Sequence, residues 1–133
     1  MNAPINPTTV HKPLGRYSHT MRIPADADWL VIAGQVGVNA KGRLAGGVRQ
    51  QAEQAFRNIV ACLRANKMTK EHLVKLTIYL TDPRSIEGMR AARKRVLGDD
   101  VLPTATLVIV DGLASPDFHI EVEAWAAKAQ RPS

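Results

Sequence analysis

From Phe118 to Ala126 the chain alternates without a break. Phe118, Ile120, Val122, Ala124 and Ala126 fall on one parity, and His119, Glu121, Glu123 and Trp125 on the other. Side chains alternate across a β-strand, so this spacing makes a strand with one apolar face and one face bearing two carboxylates and an imidazole. Leu73 to Leu80 repeats the pattern, with Val74, Leu76, Ile78 and Leu80 on one side and Lys75, Thr77 and Tyr79 on the other. Strands of this kind must lie in a sheet whose apolar face is covered by another layer.

The covering layer is written between them. Val48, Ala52, Ala55, Phe56, Ile59, Val60 and Leu63 recur at three- and four-residue intervals, which predicts a helix from about Val48 to Asn66 with one buried face. A second helix is predicted after Asp82-Pro83, an N-terminal cap followed by a proline whose missing N–H costs nothing in the first turn. Ile86, Met89, the Arg93 stem, Val96 and Leu97 face inward, and Gly98 ends it. Gly15 to Ile23 reads as a first strand, joined through the turn at Pro24–Asp28 to a second, Trp29 to Ala33, as an antiparallel hairpin. The order β-β-α-β-α-β-β follows: an α+β domain over residues 1–133, with two helices on one face of a mixed sheet. Residues 1–13, with Pro4, Pro7 and Pro13, are expected to form an extended arm, and about 127–133 a polar tail. The opposite sheet face, with Tyr79, Leu107, Ile109 and Trp125 beside Lys75, His119 and Glu121, is too apolar to stand in water and predicts self-association.

Composition removes several function classes. No apolar run reaches the roughly 18 residues of a membrane span, and no basic segment leads into an apolar one at the start, so a cytoplasmic protein without membrane partners is expected. Cys62 stands alone, and the four histidines His11, His19, His72 and His119 are dispersed, so neither a metal site nor a cofactor is expected. The formal charge of +6 favours anionic partners, yet its densest group, Arg90, Arg93, Lys94 and Arg95, spreads around a helix as a solvated face. With 5% aromatic residues there is no stacking platform, so nucleic acid is not expected as a ligand.

The residues themselves offer Glu121, Glu123, Tyr17, Ser18 and His119 as candidates. Glu121 reads either as a surface carboxylate paired with Lys75 across the sheet or as a general acid or base in a shared cleft. Tyr17 and Ser18 read either as a hydrogen-bonding rim or as the start of a strand. Leu102 to Val110 brings no basic residue to meet the carboxylates.

Six segments in order carry a resemblance over nearly the whole chain: Pro13–Ser18, Leu30–Gly37, Gln51–Leu63, Val74–Asp82, Leu102-Pro103 and His119–Ala124. Together they resemble the Rid family, also called YjgF, of reactive imine deaminase homologues. The resemblance implies a chorismate-mutase-like fold, a homotrimer whose sheets form a central barrel, and clefts between subunits. It implies hydrolysis of 2-imino acids to 2-keto acids and ammonia, with Glu121 as the cleft glutamate and Tyr17, Ser18 and Gly34 in cleft-lining segments. Ala105 stands at the position of the family's arginine for the substrate carboxylate. Leu107 stands where cysteine is frequent, and Arg90 where asparagine is frequent. Loss of a buried guanidinium–carboxylate pair costs several kcal/mol, on the order of a few powers of ten in rate, so weak or absent 2-imino acid deamination is expected. Replacement by Arg16 or Arg90 is the lesser alternative, because a guanidinium from a different backbone position rarely reproduces the same geometry.

Two functions therefore stand open, with nucleic-acid cleavage or inhibition of translation, which the resemblance also implies, as a third and weaker reading. One is a Rid-like hydrolase or deaminase acting on an imine-like or related small metabolite, with Glu121 moving protons and backbone N–H groups near Thr106 or Leu107 orienting the substrate. The other is a non-catalytic protein that binds a metabolite or regulates a partner through the same cleft.

Overall fold

The computed structural model describes residues 1–130. Ala3–Ile5 (β1) pairs antiparallel with Thr20–Arg22 (β2) as a separate two-stranded ribbon. Then follow Asp28–Gln35 (β3), Val48–Ala65 (α1), Leu73–Leu80 (β4), Ile86–Leu97 (α2), Thr104–Ile109 (β5) and Ile120–Lys128 (β6). The main sheet has the order β3-β6-β4-β5; β6 is antiparallel to both its neighbours, and β5 runs parallel to β4. The α+β class, the mixed sheet and the pair of helices are those the sequence predicts, and the topology matches the chorismate-mutase-like arrangement.

The alternation of β4 and β6 explains the centre of the molecule. Leu76, Ile78 and Leu80 of β4 and Ile120, Val122 and Ala124 of β6 are paired in register and buried under Phe56, Ile59 and Leu63 of α1. Each large side chain removed from water here contributes about 1.5–3 kcal/mol. At the start of α2 the Asp82 carboxylate accepts the Arg84 N–H at 2.9 Å, Pro83–Ser85 form a single 3-10 turn, and Gly98 closes the helix at φ 82°.

Three expectations are corrected. No closed barrel forms: the sheet is open, four strands wide, with β3 and β5 at its edges. Residues 15–23 do not make a hairpin with β3. The Ser18 N–H bonds to Pro103 O at 3.1 Å and its hydroxyl to Leu102 O at 2.7 Å, which ties this stretch to the segment before β5. Only Thr20–Arg22 is then free to pair, and it pairs with the arm, so part of residues 1–13 is a strand. β3 instead takes its partner from β6, with Val31 opposite Trp125. Finally, Leu107 and Ile109 pair with Ile78 and Leu80, which puts them on the helix side of the sheet rather than on the bare face. The expected tail begins inside β6, which continues to Lys128, and its residues 131–133 lie outside the described part. Among the described residues no helix is long and apolar enough to cross a membrane.

One buried polar side chain holds the loops to the core. Gln51 of α1, 2% exposed, donates through Nε2 to Asp117 O at 3.1 Å and accepts the His119 N–H at 2.9 Å. Gly37 lies against the same residue, and a β-carbon there would stand 2.5 Å from Gln51 Cα. A Gln51→Leu substitution leaves the His119 N–H and the Asp117 carbonyl without these partners, each loss costing about 1–3 kcal/mol. The expected result is a fall of about 3 kcal/mol in unfolding free energy, read as a lower urea midpoint at unchanged slope.

Candidate functional site

The crossover from β4 through α2 to β5 leaves a cavity of about 360 Å³ between the helix and the edge of the sheet. Ile78, Ala105, Thr106 and Leu107 line it from β4 and β5, Met89, Arg90 and Arg93 from α2, and Leu14 to Tyr17 close the side. Ala105 is opposite Leu76 in the parallel register, so its methyl group faces α2 and leaves room that a longer residue would fill. The Thr106 side chain lies on the other face, where its hydroxyl accepts Lys75 Nζ at 2.6 Å.

The segment 14–17 is folded on itself. The Tyr17 hydroxyl accepts the Leu14 N–H at 3.1 Å, and the Tyr17 ring meets His19 edge-on with 5.6 Å between centroids. The His19 ring nitrogen in turn bonds to His11 O at 2.6 Å, which fastens the N-terminal arm to this wall.

Three guanidinium groups surround the cavity, in different states. Arg16 pairs with Asp99 at 2.8 Å and Arg90 with Glu87 at 3.1 Å, and all four side chains are substantially exposed, so these ion pairs contribute little stability. Arg93 is different. It is 6% exposed, it pairs with no carboxylate among the described residues, and its one protein acceptor there is the Arg16 carbonyl. Burial, reinforced by the neighbouring Arg16 charge, pulls its pKa down to about 10, so it remains a cation at neutral pH.

Tyr17, Arg90, Ala105, Thr106 and Leu107 thus meet at one cavity. Ser18 does not line it; its two bonds to Leu102 and Pro103 make it a buried tie between segments. Glu121 and Gly34 meet each other elsewhere. A β-carbon on Gly34 would fall 1.9 Å from Glu121 Oε2, so the absence of a side chain at 34 is what gives this carboxylate its place. Glu121 is opposite Tyr79, not Lys75, and the Tyr79 hydroxyl donates to Glu123 at 2.6 Å. That bond, with burial second, holds the Tyr79 pKa above its ordinary value. Glu121 therefore lies on the face of the sheet away from the helices, and Ala105 on the face beneath them. On the bare face Trp29, Val31 and Trp125 are about half exposed, the two indoles edge-to-face at 6.0 Å.

Arg93 is the site residue that the sequence reading missed as a charge. Met89, Arg93 and Leu97 are spaced four apart, so an arginine in this apolar stripe reads as a stem with its head in water. The available signal is that Met89 and Leu97 are both fully inward, which carries the residue midway between them inward as well.

The family described as endoribonuclease L-PSP matches residues 8–128 of this chain. A RutC family protein of Aquifex aeolicus is 31% identical over 118 residues, covering 87% of this chain and 91% of that protein. The RutC family protein YjgH of Escherichia coli is 33% identical over 108 residues, 80% of each. A solved structure from Yersinia pestis, described as a protein of unknown function of the conserved Rid family, superposes with a TM-score of 0.85 at 29% identity, covering 96% of this chain and 98% of that one. Similarity of sequence and of fold thus runs from the N-terminal arm to the last strand, and the chain belongs to the Rid (YjgF) family.

Proposed function

We propose that this protein takes a small metabolite into the cavity between α2 and β5 and hydrolyses an imine-like bond in it, with little activity on ordinary 2-imino acids. The observation that carries this reading is the cavity itself, of ligand size and lined by apolar side chains together with the three arginines Arg16, Arg90 and Arg93. In the reaction water adds to the C=N carbon, and the tetrahedral carbinolamine expels ammonia to leave the carbonyl. Glu121 moves the protons, and a backbone N–H near Thr106 or Leu107 orients the substrate. Ala105 leaves a 2-imino acid without a bidentate partner on β5.

Glu121 and the cavity lie on opposite faces of one sheet, so a second copy must bring the carboxylate to the substrate. The half-exposed Trp29, Val31 and Trp125 supply the apolar surface for that contact, and a homotrimer with clefts between its subunits is the assembly we infer. The alternative, a non-catalytic metabolite-binding or regulatory protein, draws on the cavity's own lining, which includes no carboxylate and no histidine.

Two measurements follow. Ammonia release from enzymatically generated 2-iminopropanoate is expected to stay near the uncatalysed rate, to rise at least tenfold in Ala105→Arg, and to fall back in that variant when Glu121→Gln is added. Rapid wild-type turnover would sink the reading of Ala105, and turnover indifferent to Glu121→Gln would sink the role of the carboxylate. In sedimentation, the wild-type chain is expected to run as a trimer and Trp125→Glu as a monomer, because a charge cannot be buried unpaired in that contact.

A further inference from the structure

Resting on the reading of the cavity as a small-molecule site, the geometry points to Arg93 as the residue that receives the anionic end of the ligand, so that the protein takes a small monocarboxylate by its helix wall. A guanidinium carries five N–H donors. Among the described residues the Arg93 guanidinium donates to one acceptor, the Arg16 carbonyl, and no carboxylate comes near enough to pair. The remaining donors are not sealed in protein. The single fully enclosed side-chain polar atom without a partner in the described part is Asn2 Oδ1. Arg93 lines the cavity, so its unused donors open there.

A buried cation without a counter-charge is costly, and the structure provides a space beside it in which a counter-charge fits. The size of the missing charge is set by the neighbours. Arg16 and Arg90 are already balanced by Asp99 and Glu87, which leaves one positive charge at the cavity to be matched. One planar monoanion therefore fits better than a phosphate dianion. Leu14, Ile78, Met89 and Leu107 supply the apolar part of the lining, so the body of the ligand is small and apolar. The charge is received from α2 rather than from β5. An acid held this way presents its carbon chain toward Ala105, reversed from a molecule anchored on the strand.

Calorimetric titration at constant ionic strength with 2-oxobutanoate, butanamide and inorganic phosphate tests this. The carboxylate is expected to bind at least tenfold more tightly than the amide or phosphate, and Arg93→Met to abolish that preference. Because Arg93 is buried, a second pair of variants leaves it in place: Ala105→Glu supplies an internal carboxylate, and Ala105→Gln is its neutral match. Ala105→Glu is expected to melt at a higher temperature than Ala105→Gln and to exclude 2-oxobutanoate. Equal affinity for amide and carboxylate, tighter binding of phosphate, retained preference in Arg93→Met, or a lower melting temperature for Ala105→Glu overturns the assignment to Arg93 and leaves the small-molecule cavity standing. Failure of every probe to bind takes down the cavity reading as well.

Discussion

The parallel pairing of β5 with β4 is the constraint from which the rest of the site follows. Parallel neighbours cannot be joined by a tight turn, so the chain must leave the sheet and return along the same direction, and α2 is that crossover. The helix consequently lies beside the edge strand, with Met89 and Leu97 seated in the core and Arg93 between them. An edge strand under a helix leaves a space wherever its inward side chains are short. Ala105 is such a side chain, and the cavity opens at it. The register then fixes the sides: since Ala105 and Leu107 pair with Leu76 and Ile78, they look toward α2, while Thr106 looks away and bonds to Lys75.

β6 has the complementary task. Inserted between β3 and β4, it aligns its apolar parity under α1 and presents Glu121, Glu123 and Trp125 on the bare face. Gly34 on β3 is what allows Glu121 to lie close to its neighbour strand, and Gly37 allows the following loop to reach Gln51. At these two close approaches the absence of a β-carbon is required by space, as at Gly98 it is required by a positive φ. Glu121 and Glu123 thus share the bare face with Lys75, and the guanidinium groups of Arg16, Arg90 and Arg93 lie at the cavity.

The elements were legible because their periods are clean. Alternation over Leu73–Leu80 and Phe118–Ala126, the three- and four-residue spacing of Val48–Leu63, and Asp82-Pro83 before α2 each reflect a local geometry that a single segment determines. Pairing was not legible. The weak alternation of residues 15–23 suggested a hairpin, but the backbone of Ser18 is claimed by Pro103, a contact made across 85 positions of sequence. The sides of Leu107 and Ile109 depended on the register with β4, which strand parity alone leaves undetermined. The open sheet likewise follows from pairings between distant segments, and so does the gap between Glu121 and the cavity. Tyr17, Arg90, Ala105, Thr106 and Leu107 were brought to one place by the ordered motifs, whereas Arg93 was hidden by its own residue type.

Arg93 also shows how the site and the stability of the domain oppose each other. Its pKa is lowered in the folded chain, which means that the fold disfavours the protonated group relative to solvent. The unfolded chain then binds the proton more readily, so stability rises with pH only from about 10 upward, and at every lower pH the full penalty is present. A methionine or leucine in the same Met89–Leu97 stripe would remove that penalty and pack against the same neighbours. An arginine is worth its cost there only through what its head group meets. Inside the described chain that is one carbonyl oxygen, which an uncharged donor would satisfy equally well. On the proposed reading the charge has its use in the cavity, where a bound anion would lower the penalty by the same interaction that selects the ligand.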